Sequence, residues 1–337
     1  MTPLAWHRET LRRLLADRER LPHALLVHGP AGIGKAEFAR ALAASLLCES
    51  PRDGLACGAC PSCHWFSQGN HPDYREIVPE AAAEEEEGEE PAGGKEKAKS
   101  LVIKIDQVRA VADVVSLSTH RAGWRVLVLR PAEAMQAAAA NALLKTLEEP
   151  PPRTMLVLVS DRPARLLATL RSRCRHLALG LPPRDVALAW LREQGVAQPE
   201  IALASAGGAP LLARDLAEPD EAELRRRTLG ELAKPSGADP VAFSAAVDRT
   251  SVERVIHWMQ TWVNDLARVK LAGAPRHHPD FAAALQARAR NADLERLFLL
   301  DRELTEARRL AAHPLNPRLV AEHLLMAYNR ATSGSMP

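Results

Sequence analysis

Aromatic side chains are scarce in this chain of 337 residues: two Tyr, five Phe and six Trp amount to 4%. That argues against a surface that binds single strands by stacking bases on rings. Charge of one sign is missing too, because 44 Lys and Arg face 42 Asp and Glu for a net charge of +2. So mild a balance does not by itself mark a nucleic-acid partner. No run of eighteen apolar residues occurs, which excludes a membrane-spanning helix, and the opening segment Met1-Thr2-Pro3-Leu4-Ala5-Trp6-His7-Arg8-Glu9 lacks the apolar core of an export signal. The expectation is a soluble, cytoplasmic protein, long enough for two or three domains that each bury a core.

What is present begins with Gly29-Pro30-Ala31-Gly32-Ile33-Gly34-Lys35-Ala36. A Gly-rich loop between strand and helix lets backbone N–H groups and a helix N-terminus surround phosphate oxygens while a Lys reaches the outer phosphates. His23 to Val27 is apolar enough for the buried strand, and Ala36 to Leu47 is Ala/Leu-rich enough for the helix. Gly29, Gly32, Gly34, Lys35 and Ala36 are therefore the nucleotide-binding candidates, with a plain strand–helix turn that never held nucleotide as the bland alternative. The loop stops one hydroxyl short, because Ala36 stands where Ser or Thr would hold magnesium. A second defect follows the strand predicted at Arg125 to Leu129. An active site needs an acid there, and this chain has Arg130 and Pro131, with Glu133 the nearest carboxylate and expected in the following helix. Hydrolysis of ATP is not expected, whereas Lys35 leaves ATP or ADP binding open.

Four of the five cysteines, Cys48, Cys57, Cys60 and Cys63, follow a C-x8-C-x2-C-x2-C pattern. Without an export signal such density points to metal, and four thiolates with no open position suit a structural Zn²⁺; an iron–sulfur cluster is the alternative. With four thiolates present, His71 in Asn70-His71-Pro72-Asp73 reads as a turn residue leading into a strand at Tyr74 to Val78. Residues 80–100, rich in Glu and then in Lys, Gly and Pro, read as a mobile acidic loop. Order resumes at Val102 to Ile105, with Asp106 as the cap of a helix carrying Val108, Val111, Ala112 and Val115. A strand at Arg125 to Leu129, an Ala-rich helix stopped by Pro150-Pro151-Pro152, a strand at Thr154 to Ser160 and a short strand near His176 to Leu179 complete an alternation that argues for a parallel α/β sheet covered on both faces. From Pro182 onward the pattern is helical: Val255, Met259, Trp262, Val263, Leu266 and Val269 share one helix face, and Asn316-Pro317 opens a helix carrying Leu319, Leu324, Leu325 and Tyr328.

Ser172-Arg173-Cys174 is unremarkable alone. Together with the phosphate loop, the segment Asn141 to Pro151 and the cysteine cluster, in this order, it resembles the bacterial clamp-loader subunits of DNA polymerase III, which are AAA+ proteins. The resemblance covers essentially the whole chain. It implies an AAA+ P-loop domain over 1–180 with a zinc module at 48–63, a small helical lid over 181–222 and an all-α oligomerisation collar over 223–337. It also implies that Arg173, flanked by Ser172 and Cys174, is an arginine finger for the ATP site of an adjoining subunit, a task that suits an always-charged fork and can raise hydrolysis about 10³- to 10⁵-fold. The four cysteines match the family's zinc ligands, and Lys145 falls in a segment near the DNA channel. Pro210, in Gly207-Gly208-Ala209-Pro210, replaces an Arg that touches phosphates in ATP-binding members. The implied partners are tau or gamma ATPase subunits and a delta subunit, and through them the beta sliding clamp and primed DNA. The implied role is a non-hydrolysing stator. Its rivals are an active ATPase of the tau or gamma type and a stand-alone zinc-dependent nucleic-acid-binding protein.

Overall fold

The computed structural model describes residues 2–87, 100–116, 123–234, 237–245, 247–310 and 316–333. It divides into two compact units, Met1–Val186 and Ala187–Pro337.

In the first unit, helix α1 (Arg8–Leu15) precedes strand β1 (Ala24–His28), and helices α2 (Lys35–Leu47) and α3 (Pro61–Ser67) lead to β2 (Tyr74–Ile77). Helices α4 (Glu80–Glu87) and α5 (Ile105–Ser116), β3 (Arg125–Leu129), α6 (Ala137–Glu148), β4 (Thr154–Ser160), α7 (Ala168–Arg173) and β5 (Arg175–Ala178) follow. All five strands are parallel, in the order β2-β3-β4-β1-β5. β3 and β4 are buried at every position, which is why they read as apolar runs without alternation: a parallel sheet covered on both faces offers no solvated side. Leu127 lies opposite Leu156, and Leu26 opposite Leu158, so β4 ties β3 to β1. The carboxyl ends of β1, β3 and β4 therefore share one edge of the sheet, where open α/β sheets build their sites.

Strand β2 lies at the sheet's outer edge and carries a charged anchor. Glu76 pairs with Arg40 of α2 at 3.0 Å and with Arg130 just past β3, and it accepts the Tyr74 hydroxyl at 2.7 Å. Burial pushes its carboxyl up, but the two guanidinium groups and the Tyr74 hydroxyl outweigh this, and the net shift is downward from 4.5.

Two expectations need correction. The helix after residue 100 begins at Ile105, so Asp106 lies in its first turn and is not its cap; the Gln107 side chain accepts the Lys104 N–H at 2.9 Å and performs that service. Residues 80–87 form α4, not loop, because Ala and Glu are strong helix formers and Lys104 holds Glu80 at 2.8 Å. The rest of the segment read as an acidic loop, 88–99, lies outside the described residues.

The second unit is helical. Helix α8 (Arg184–Glu193) enters it, followed by α9 (Pro199–Ser205), α10 (Pro210–Asp215), α11 (Pro219–Leu232), α12 (Pro240–Ser244), α13 (Val252–Ala272), α14 (Ala282–Asn291), α15 (Leu294–Leu310) and α16 (Pro317–Thr332). One core joins Leu203, Leu229, Trp262, Leu300 and Leu325. α13 runs through it with Val255, Met259, Trp262, Val263, Leu266 and Val269 all buried, as their helical spacing requires. Trp262 Nε1 donates to Tyr328 Oη at 3.0 Å, and that hydroxyl donates to the Leu232 carbonyl at 2.7 Å, so both rings keep their polar tips satisfied. Asn316 caps α16 by accepting the Arg318 N–H at 3.1 Å, while Leu319 is exposed. No helix among the described residues is long and apolar enough to cross a membrane.

Glu76→Gln removes the largely buried carboxylate that the Arg40 and Arg130 guanidinium groups share and is expected to cost about 3 kcal/mol at pH 7. Because the folded-state pKa of Glu76 lies below its unfolded value, its contribution is full above about pH 4.5 and is lost as the pH falls through the folded value. Urea unfolding of both proteins at pH 7 and in mild acid checks this: the gap between them should narrow in acid.

Candidate functional site

The phosphate loop leaves β1 at His28 and enters α2 at Lys35, with Gly34 as N-cap in the left-handed region at φ 88°. Only Gly fits there. A Cβ would strike Leu4 Cδ1, and at the other end of the loop a Cβ on Gly29 would strike the Leu179 carbonyl oxygen. Trp6 Nε1 at 2.9 Å and His7 Nε2 at 2.7 Å both reach the Ile33 carbonyl, so the N-terminal segment lies against the loop. Burial holds the His7 ring below its ordinary pKa, leaving a neutral imidazole that donates from Nε2.

Lys35 does not reach outward. Its side chain is 4% exposed, and its ammonium meets the Pro30 carbonyl and Asp161 Oδ1, the latter at 2.5 Å. Asp161 follows the last residue of β4. Its backbone N–H and that of Arg162 donate to Glu133 Oε1 at 3.0 and 3.1 Å, which fixes the turn. Glu133 stands in a 3₁₀ turn, Ala132–Ala134, and not in the following helix, because Pro131 delays the start of α6 to Ala137. Arg130 turns its guanidinium to Glu76 on the neighbouring strand. Ala36, the second residue of α2, supplies only a methyl group, as its sequence position requires.

The four cysteines converge. Cys48 ends α2, Cys60 caps α3 and Cys63 lies within it, and all four sulfurs fall within 4.8 Å of one another. Cys48 and Cys60 sulfurs are 3.9 Å apart and those of Cys57 and Cys63 4.0 Å. A tetrahedral ion with bonds of about 2.3 Å places its sulfur ligands about 3.8 Å apart, so the cage fits one ion, whereas a cluster that interposes several metal atoms needs wider spacing. Backbone N–H groups already point at thiolate positions: Cys57 to Cys48 sulfur at 3.3 Å, Cys63 to Cys60 sulfur at 3.4 Å and Ala59 to Cys57 sulfur at 3.5 Å. The N–H groups of Ala59 and Cys60 draw the Cys57 thiol down to about 6, while burial pushes Cys63 up to about 12 and raises Cys48. At Cys60 burial acts upward, but the N–H groups of Cys63 and Glu49 prevail and the net shift is downward.

His71 is no ligand of that cage, but it is more than a turn residue. It is buried, with Nε2 2.8 Å from Ser62 Oγ and Nδ1 accepting the Asp73 N–H at 3.1 Å. Ser62 Oγ in turn donates to the Leu47 carbonyl at 2.6 Å, which bolts the helix carrying Cys60 and Cys63 to the helix ending at Cys48.

Arg173 ends α7. Its side chain is 37% exposed, its Nη2 meets Glu148 Oε1 of α6 at 2.5 Å, and its Nη1 donates to the Thr169 carbonyl at 3.1 Å. Ser172 Oγ donates to the same carbonyl at 3.1 Å. Cys174 is buried in the core with its thiol raised to about 11 by burial, so it is a packing residue. Lys145 lies exposed on α6. In the second unit, Pro210 is buried at the first position of α10.

Asp161, Glu76 and Glu148 were invisible as site residues in the sequence, as was the role of Leu4, Trp6 and His7 against the loop. One signal could have found Asp161: it follows directly on a fully apolar parallel strand.

The sheet order, the loop after β1 and α2 behind it define an α/β protein with a phosphate-loop arrangement, here with a four-cysteine module and a helical second unit. A family model described as "DNA polymerase III, delta subunit" matches residues 7–182, and one described as the C-terminal part of that subunit matches 219–329. DNA polymerase III subunit delta' of Pseudomonas aeruginosa PAO1 is 37% identical over 263 residues, 76% of this chain and 75% of that protein. The subunit delta' of Escherichia coli K12 is 35% identical over 280 residues, 81% of this chain and 76% of its own length. That of Yersinia pestis is 30% identical over 342 aligned positions, 97% of this chain and 96% of its own length. The chain belongs to the DNA polymerase III subunit delta' family.

Metal binding requires thiolates, so affinity should fall as pH falls. At pH 7 Cys57, at about 6, is already largely ionised, whereas Cys63, at about 12, and Cys48 are protonated. Loading Zn²⁺ on the metal-free chain at pH 7 should therefore release about two to three protons, not four. Calorimetric titration in buffers of different ionisation heat counts them.

Proposed function

We propose that this chain is the non-hydrolysing stator of a clamp loader and lends Arg173 to the ATP site of an adjoining tau or gamma ATPase subunit. The observation that carries this reading is the contrast between two cations. Lys35, which would serve the chain's own site, is buried and paired, whereas Arg173 stands at a helix end, partly exposed. The missing hydroxyl at Ala36 and Arg130 in place of an acid support the same division of labour. A guanidinium delivered from outside stabilises charge on the transferring phosphoryl group and completes a site that its own subunit leaves unfinished. ATP binding next door is thereby coupled to the arrangement of the assembly, which with a delta subunit opens the beta sliding clamp and loads it on primed DNA.

Residues 181–222 then act as the lid and 223–337 as the oligomerising collar, on a shared core. Lys145 lies near the DNA channel. The ion held by Cys48, Cys57, Cys60 and Cys63 is a structural Zn²⁺: the chain offers four sulfurs and no open position, so the module's task is to hold its own segment folded. The protein works in the cytoplasm as part of a hetero-oligomer.

The test is reconstitution of the loader from this chain, its ATPase partner and the delta subunit. Arg173→Ala should lower hydrolysis at the adjoining site by about 10³-fold or more and abolish clamp loading, while the complex still assembles. Arg173→Lys should not restore it, since a point charge lacks the fork. Unchanged hydrolysis and loading, or ATP turnover by the isolated chain, would sink the reading.

A further inference from the structure

We propose that Asp161 is an internal counter-anion that holds Lys35 in place of nucleotide phosphate and thereby decides that this phosphate loop stays empty.

The ion pair differs from a surface contact in the burial of its cation, while the Asp161 side chain is 43% exposed. Lys35 is 4% exposed and already has two acceptors, Asp161 Oδ1 at 2.5 Å and the Pro30 carbonyl of its own loop. Its ammonium is thus neutralised and largely satisfied without a ligand. Asp161 is also held in place: β4 pairs with β1 so that Ser160 lies opposite His28, and the residue after each strand end opens toward the same edge. Glu133 Oε1 accepts both N–H groups of the turn at Asp161 and Arg162, and Ser160 Oγ accepts the Arg162 N–H at 3.1 Å.

An incoming phosphate would have to strip Lys35 from the Asp161 carboxylate and then lie beside that carboxylate. Like charges a few Å apart repel, although solvent reaches the Asp161 side of the pair and weakens the effect. No cation from Ala36 or from a bound metal offsets this, because Ala36 has no ligand atom and Arg130 is committed to Glu76. The packing of Leu4 on Gly34 and of the Leu179 carbonyl on Gly29 narrows the loop at both ends, but these are apolar or neutral contacts that a ligand could displace. The Asp161 carboxylate both holds Lys35 and opposes phosphate by its charge, and the Glu37 carboxylate in the first turn of α2, whose Oε2 lies 3.5 Å from where a Cβ on Gly34 would stand, opposes it in the same sense.

The inference goes beyond the reading above and rests on no property of Arg173, so the two can fail separately. The experiment is equilibrium titration of the full chain with a fluorescent N-methylanthraniloyl-ADP, without magnesium, with unlabelled ADP as competitor. The wild-type chain should not saturate in the millimolar range. Asp161→Asn, which keeps the shape and removes the charge, should bind at least about tenfold tighter, and Asp161→Asn combined with Lys35→Ala should lose that gain. Asp161→Ser, read the same way, serves if the Asn variant does not fold. Saturable binding by the wild type that the substitution leaves unchanged overturns the proposal, as does a folded, charge-free variant that still does not bind.

Discussion

The pairing of β4 between β1 and β3 is the constraint on which the first unit depends. β4 is buried at all seven positions and hydrogen-bonds on both sides, so its register sets where two other strands end. Those ends carry the Gly-rich loop after β1, Arg130 after β3 and Asp161 after β4 itself. A one-residue slip would turn every side chain of β4 to the opposite face. It would also part Asp161 from Lys35. The apolar burial that makes the sheet stable is therefore the same constraint that sets Asp161 beside Lys35.

Much of this was legible in residue order alone, and the reason is local. The loop, its flanking strand and helix, the four-cysteine spacing and the α13 stripe are all encoded within short windows, by Gly, by thiolate spacing and by helical period. The strands at Arg125–Leu129 and Thr154–Ser160 were readable because uninterrupted apolar runs have few other uses. The partners of the cations were not readable. Asp161 is 126 positions from Lys35 in the chain by numbering, and Glu76 is 54 from Arg130, so only strand order brings them together. Asp106 misled for the opposite reason: a good capping residue stood two residues past the cap position Lys104, whose N–H Gln107 accepts. Residues 80–87 misled because a Glu-rich composition signals loop on average, while Ala and Glu favour helix once Glu80 is anchored.

The metal module shows how a small segment with little core is held. Residues 48–63 bury few large side chains, and their thiol groups alone would crowd at just under 4 Å. A bound ion turns that crowding into four bonds, and the N–H groups aimed at the sulfurs of Cys57 and Cys60 favour their thiolates in advance. His71 and Ser62 extend the brace outward. The Asp73 N–H occupies His71 Nδ1, which leaves Nε2–H to donate to Ser62, whose hydroxyl is spent on the Leu47 carbonyl. That chain links the cage to the start of β2, and Asp73 is itself tied to the sheet through its carbonyl and the Val126 N–H at 2.9 Å. The module is thereby fastened to the same sheet edge that carries Glu76.

Lys35, Arg130 and Arg173 each have an acid beside them, and the difference between these pairs is exposure. Lys35 with Asp161 and Arg130 with Glu76 are held in largely buried surroundings on the cation's side, where parting the charges leaves one of them stranded. Arg173 with Glu148 is different: the two side chains are 37% and 51% exposed, water competes for both, and such pairs contribute at most about 1 kcal/mol. Parting Arg173 from Glu148 therefore costs less than parting the buried Lys35 from Asp161. The same kind of ion pair is thus tight at Lys35 and loose at Arg173, and the burial of the cation separates the two.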